Sequence, residues 1–107
     1  MGSVRGTLSC EPVTGAGIAA EYGAETLEVR FRQGGERLRI ARNGRTRELK
    51  NLLQEMGIVP WMRGHIPLLY SGERLLAVGD LWINADFSAA EGEAAVRVHW
   101  ENHSPVR

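Results

Sequence analysis

Apolar and polar residues alternate along residues 27–32, LEVRFR: Leu27, Val29 and Phe31 stand against Glu28, Arg30 and Arg32. The same period of two returns in residues 36–40, ERLRI, with Leu38 and Ile40 against Arg37 and Arg39. That period belongs to half-buried strands. Between the two runs lies Gln33-Gly34-Gly35, a turn that tolerates positive φ. The pattern therefore predicts a hairpin whose inner face carries the apolar residues. Its outer face would gather Arg30, Arg32, Arg37 and Arg39.

A different period follows. After a loop around Asn43-Gly44, residues 47–56 place Leu49, Leu52, Leu53 and Met56 at i, i+3, i+4 and i+7, one apolar face of a helix. Thr46 suits the N-cap, because its hydroxyl can accept a free first-turn N–H. Gly57 suits the position just past the end. Pro60 and Pro67 bracket the next segment, which leaves room for at most one short helical turn. The runs LLY, RLLAV and LWI then read as three short strands with tight turns, the first at Ser71-Gly72. A last strand, AVRVHWE, sets Val96, Val98 and Trp100 against Arg97, His99 and Glu101. Before all of these, Leu8 and Cys10 alternate weakly ahead of a turn at residues 14–17, so residues 1–26 read as an arm or an early hairpin. Residues 27–107 carry the rest of a single domain. The sum is α+β: short, mostly antiparallel strands, one main helix and a second short helical turn.

Composition changes this picture only through its distribution. Thirteen basic and thirteen acidic residues cancel over the 107-residue chain. Residues 30–50 nevertheless hold eight bases against two acids, a net +6, and the remainder is −6. One cysteine excludes a disulfide framework and suggests a cytoplasmic protein. No apolar run approaches the roughly 18–20 residues of a membrane span, so no membrane partner is expected. The start MGSVRG lacks the apolar core of a signal peptide. Met1-Gly2-Ser3 reads either as a native start or as a cloning remnant of an excised domain.

Catalytic and metal-binding patterns are missing. There is no phosphate-binding glycine loop, no GxSxG and no metal-spaced Cys/His cluster. His65, His99 and His103 lie in separate contexts, and surface or structural roles suit each better than ligation. Cys10 reads as a small buried hydrophobe. Trp61, beside Pro60 and ahead of Arg63, reads either as a stacking platform for a base or as a plug that fixes the turn, and a plug is the commoner use. No catalytic residue and no metal site is assigned.

The basic segment is the one functional signal. A solvated charged face would account for it. Two features argue for an anionic partner instead. Seven of the eight bases are arginine, whose planar fork fits phosphate. Like charges on one sheet face also repel, by about 0.2–1 kcal/mol per facing pair. Glu28 and Glu36 could relieve part of that repulsion internally. The candidate phosphate-binding residues are Arg30, Arg32, Arg37, Arg39, Arg42, Arg45, Arg47 and Lys50, with Arg63 as an extension. Such contacts would position a nucleic acid without reading its sequence.

The ordered motifs in residues 32–37, 49–55, 60–63, 67–69 and 75–81 resemble the C-terminal domain of bacterial tRNA(Ile)-lysidine synthetases. That family shows an R-x-GGER turn, a basic loop, an LK-x-LxQE helix, a V-P-PW-x-R segment, a PLL strand and an L-x-AV-x-x-L hairpin. The likeness spans residues 27–84. Val59 stands where a first proline is common, Gly64-His65 where a charged pair is common, and Asn51 where a second lysine is common. The first two departures touch the geometry of the Pro-bracketed turn, and the third removes one possible phosphate contact. The resemblance implies a layered β-sandwich-like domain with a helix, shared with the beta subunit of phenylalanyl-tRNA synthetase. It implies a parent ligase that uses ATP and Mg to attach lysine to the wobble cytidine of tRNA(Ile). That chemistry belongs to an SGGxDS-bearing catalytic domain whose motif is not in this chain, so the chain is expected to be inactive alone and to need no cofactor itself. The implied partners are tRNA(Ile), on its acceptor-stem side, and the parent's catalytic domain, with a homodimer as a further possibility. The competing reading is a docking module that packs on neighbouring domains or a second subunit without touching RNA.

Overall fold

The structure is a computed structural model that describes residues 7–23 and 26–101. The chain start at residues 1–6 and His103 lie outside the described residues. In chain order the elements are β1 (Thr7–Thr14), β2 (Ile18–Ala19), the single turn α1 (Ala20–Gly23), β3 (Glu28–Arg30), β4 (Arg37–Leu38) and β5 (Arg47–Glu48). Then come α2 (Leu49–Glu55), a 3₁₀ helix (Pro60–His65), β6 (Leu68–Ser71), β7 (Arg74–Val78), β8 (Trp82–Ile83), a second 3₁₀ helix (Ala85–Phe87) and β9 (Ala94–Glu101). They form three antiparallel sheets with strand orders β1-β9-β2, β3-β6-β7-β8 and β4-β5. The α+β expectation holds, with α2 as the main helix. No helix among the described residues is long and apolar enough to cross a membrane.

The four-stranded sheet is the middle layer, because both of its faces are apolar. One face sets Leu69, Leu76 and Ala77 against Ile18 and Val98 of the three-stranded sheet. The other sets Leu68, Leu75 and Val78 against Leu49, Leu52 and Leu53 of α2, with Leu38, Met62 and Ile66. A bulge makes this division possible. Leu69 pairs with Ala77 and Tyr70 with Leu75, so Leu76 has no partner opposite. The extra residue lets Leu76 and Ala77 serve the same face in succession. The bulge also offers two carbonyls to Asn84, which is buried: its N–H donates to Leu76 O at 2.8 Å and its Nδ2 to Leu75 O at 2.9 Å. Asn84 Oδ1 accepts the Asp86 N–H at 3.1 Å and closes the Ala85–Phe87 turn.

The hairpin expected over residues 27–40 does not form. β3 pairs with β6, and β4 pairs with β5. Gly34 and Gly35 do take φ of +108° and +83°, but their turn carries the chain from one sheet to another. The Glu36 carboxylate holds that turn, accepting the Gln33 and Gly34 N–H groups at 2.7 and 3.0 Å. Val29, Phe31 and Ile40, expected inside, are exposed. β1 and β2 do not pair with each other either, since β9 lies between them.

α2 behaves as its period requires, with Leu49, Leu52 and Leu53 buried. Thr46 is not its N-cap. The helix starts from Glu48 without a side-chain cap, and the Leu49 N–H donates to Glu36 O at 2.9 Å. Its other end is a Schellman motif: Gly57 has φ +78°, its N–H donates to Gln54 O, and the Ile58 N–H donates to Leu53 O, both at 3.1 Å. Ile58 and Leu53 lie in the same apolar cluster, the contact that usually accompanies this motif.

Candidate nucleic-acid interface

The nine basic residues singled out by sequence separate into two groups. Five are engaged by the domain itself. Arg30 donates to Glu28 Oε1 at 2.8 Å and to Gly72 O at 2.9 Å, lies 3.8 Å from Glu73, and stacks 4.3 Å from the Tyr70 ring centroid. Burial pushes the Tyr70 phenol above its ordinary value, with Glu36 adding to the shift and Arg30 opposing it. Arg39 pairs with Asp86 at 2.6 Å. Arg42 reaches Ser88 O at 3.2 Å. Arg47 grips Glu55 with both terminal nitrogens. The Arg63 Nε donates to Ile58 O at 2.9 Å.

The other four are Arg32, Arg37, Arg45 and Lys50. Among the described residues their side chains make no hydrogen bond or ion pair. The structure does not bring all nine onto one surface feature. It does bring Arg37, Arg45 and Arg47 to the rim of one open concavity, with Thr46, Glu48 and Asn51. The β4–β5 ladder builds it. Leu38, opposite Arg47, is 1% exposed and anchors the pair, while Arg37 sits opposite Glu48 and points outward. α2 begins directly after β5, so Asn51 completes the wall from the first helical turn. Arg37 also borders a second concavity with Tyr70, Glu73, Arg74 and Asp86.

Three guanidiniums face Glu48 here, and although Arg47 is also paired with Glu55, the first concavity stays electropositive. Its members differ in role. Glu55 fixes the Arg47 fork, and Arg47 in turn holds the Glu55 carboxyl below the usual carboxylate range, chiefly through that hydrogen bond. Among the described residues nothing takes up the guanidinium donors of Arg37 and Arg45. A shallow, open, arginine-rimmed surface suits the repeating phosphates of a polynucleotide backbone. It lacks the enclosure that a small ligand needs.

Three sequence readings change here. Trp61 is 73% exposed and Met62 only 4%, so Met62 is the plug that fixes the Pro-bracketed turn. That turn is a six-residue 3₁₀ helix, longer than one turn. Cys10 is exposed on the outer strand β1 and is not a core residue. His65 is exposed and His99 lies 3.1 Å from Glu11 across β1 and β9. Among the described residues no group of three or more His, Cys, Asp or Glu could hold a metal ion. The roles of Thr46 and Asn51 on the rim were not visible in sequence, where Thr46 signalled a cap and Asn51 a lost lysine. Only their spacing from Arg45 and Arg47 could have pointed to them.

A family model described as the TilS substrate C-terminal domain matches residues 27–100. The tRNA(Ile)-lysidine synthase of Coxiella burnetii is 42% identical over 84 residues, which cover 78% of this chain and 19% of that protein. The protein of the same name from Xanthomonas campestris is 38% identical over 82 residues, 77% of this chain and 19% of its own length. That of Hamiltonella defensa is 36% identical over 97 residues, 89% and 21% respectively. The chain spans about a fifth of the length of the curated relatives it matches.

Proposed function

The chain belongs to the TilS substrate C-terminal domain family, the C-terminal domain of tRNA(Ile)-lysidine synthase, and on that premise we propose that it binds and positions tRNA(Ile) for the lysine-attaching chemistry of its parent enzyme. The domain itself performs no chemistry. In this reading ATP and Mg belong to the catalytic domain of the parent. The parent acts in the cytoplasm. In this reading the domain holds the tRNA body on its acceptor-stem side, while the catalytic domain handles the anticodon.

One observation carries the reading: among the described residues the Arg37 and Arg45 side chains have no partner, yet they share a rim with Arg47. Like-charged groups held together cost energy in the free domain, and phosphates relieve it. The nine residues named from sequence are therefore not equivalent. Arg37, Arg45 and Lys50 are the main phosphate donors, with Arg32 at the margin. Arg47 contributes as a pre-oriented fork. Arg30, Arg39, Arg42 and Arg63 chiefly hold the domain's own loops. The test is equilibrium binding of tRNA(Ile) to the chain over a range of salt. Micromolar or tighter binding at low salt that weakens steeply as salt rises is the expected result. Absence of binding at low salt overturns the reading.

A second reading has its own observation. Val29 on the edge strand β3 and Phe31 just past its end, 47% and 37% exposed, leave an apolar strip. In a docking module that strip packs on another domain of the parent or on a second copy. V29D or F31D would then break the domain's association with the rest of the parent and leave tRNA binding by the isolated chain unchanged.

A further inference from the structure

Trp61 is the most exposed large apolar side chain among the described residues, and hydrogen bonds of its neighbours hold the turn that carries it. Pro60 occupies the first position of its 3₁₀ helix and Val59 precedes it in extended conformation. The Met62 N–H donates to Val59 O at 3.0 Å, and the Arg63 Nε to Ile58 O at 2.9 Å. Met62 and Ile66, on either side of the turn, are buried at 4% and 1%. The indole is thus presented outward by a pinned backbone, while its neighbour fills the core. No packing duty inside the domain explains a tryptophan here.

The charge around it selects the kind of partner. From residue 56 to residue 72 the chain has no Asp or Glu, while Arg63 and His65 follow Trp61 on the same short helix. α2 connects this helix to the arginine-rimmed concavity. Its seven residues span only about 10 Å, so one polyanion could meet both places. A flat, exposed aromatic ring on a segment that carries an arginine and no acid resembles the platforms on which unpaired bases stack in single-strand binding proteins.

We infer that Trp61 is a stacking platform for an unpaired base of the RNA whose backbone lies along Arg37, Arg45 and Arg47. The inference rests on the RNA-binding reading above and adds a base contact to its phosphate contacts. Stacking is sequence-tolerant, since every base has a π-face, so Trp61 contributes affinity and register without base identity. Trp100 is buried and Trp82 half-buried, which makes Trp61 the fluorophore that a bound base would reach.

The experiment titrates the 107-residue chain with a short single-stranded oligoribonucleotide and with the same strand carrying abasic sites. Intrinsic fluorescence and binding constants are read for the unaltered chain, W61A, W61F and R37A/R45A. The base-bearing strand is expected to quench emission, and the abasic strand to quench little. W61A is expected to bind the base-bearing strand about five- to a hundredfold more weakly with its salt slope unchanged, and W61F to recover most of the loss. R37A/R45A is expected to flatten the salt slope and keep the quenching at saturation. Equal affinity of W61A and the unaltered chain, with no quenching, overturns the stacking role while leaving phosphate binding intact. If W61A instead loses only its association with the rest of the parent protein, Trp61 is a protein contact. If the unaltered chain binds no RNA at low salt, the RNA-binding reading falls and the stacking role with it. Because Trp61 is exposed, W61A should melt with the unaltered chain, which separates lost contact from lost fold.

Discussion

Residues 27–40 and residues 68–78 are written in nearly the same pattern: an apolar strand, a glycine turn and a second apolar strand. One folds as a hairpin and the other does not. In β6 and β7 the turn is Gly72-Glu73, both strands are buried, and the strands pair directly. In residues 27–40 a direct pairing would set Arg30 and Arg32 beside Arg37 and Arg39 on one face. Each facing like pair costs about 0.2–1 kcal/mol, and nothing apolar behind that face offsets it. The observed structure separates them. Arg30 goes to Glu28, Glu73 and the Tyr70 ring, Arg39 to Asp86, and Arg37 stands opposite Glu48. Alternation shows which residues share a face of a strand; charge decides which strand it joins.

Substitutions can break that comparison. The largest effect is expected within the buried meander. L76A, at a fully buried position, should cost about 2–5 kcal/mol in denaturant unfolding, whereas V29A on the exposed edge should stay within about 0.5 kcal/mol. A hairpin with Val29 inside would make the two costs similar. Next is N84A, which strands the Leu75 carbonyl at the bulge and the N–H of Asp86. A loss of about 1–3 kcal/mol is expected from the same measurement.

Smaller effects sharpen the role of the ion pairs. Arg39 and Asp86 are each more than a third exposed, so a double-mutant cycle on R39A and D86A should give a coupling of about 0–1 kcal/mol. The pairing of Arg47 with Glu55 is exposed as well, and its signature is the pH dependence. The Glu55 carboxyl is held below its ordinary 4.5. A depressed folded value adds stability above the unfolded value, and that stability disappears as pH falls through the folded one. The stability difference between the unaltered chain and R47A should therefore be present near neutrality and shrink as pH drops below about 4.5. A difference that persists in acid would mean Arg47 acts through packing.

Much of the middle layer was legible. The periods of α2 and of the strands from Leu68 to Ile83 follow from continuous burial, which leaves a strong pattern in sequence. The C-terminal stop of α2 was legible at Gly57 for the same local reason. The pairing of β1 and β2 with β9 was not, because contacts across more than seventy residues leave no mark in a local window. The N-terminus of α2 misled because a backbone carbonyl, Glu36 O, does what the Thr46 hydroxyl was expected to do. Trp61 misled because a methionine one residue later fills the core in its place. As for the candidate site, sequence located the basic segment. It could not show which arginines are engaged internally, since Glu55, Glu73, Asp86 and Ser88 all come from elsewhere in the chain.

The central claim is that unpaired arginines meet phosphate while internally paired ones hold the fold. The most direct test compares two double variants, R37A/R45A and R30A/R39A, by the slope of log binding constant against log salt for tRNA(Ile). R37A/R45A should lower the slope by about 1–2 and leave unfolding unchanged, whereas R30A/R39A should keep the slope and lower stability. Equal slopes for the two variants, or a flatter slope for R30A/R39A, would contradict the account.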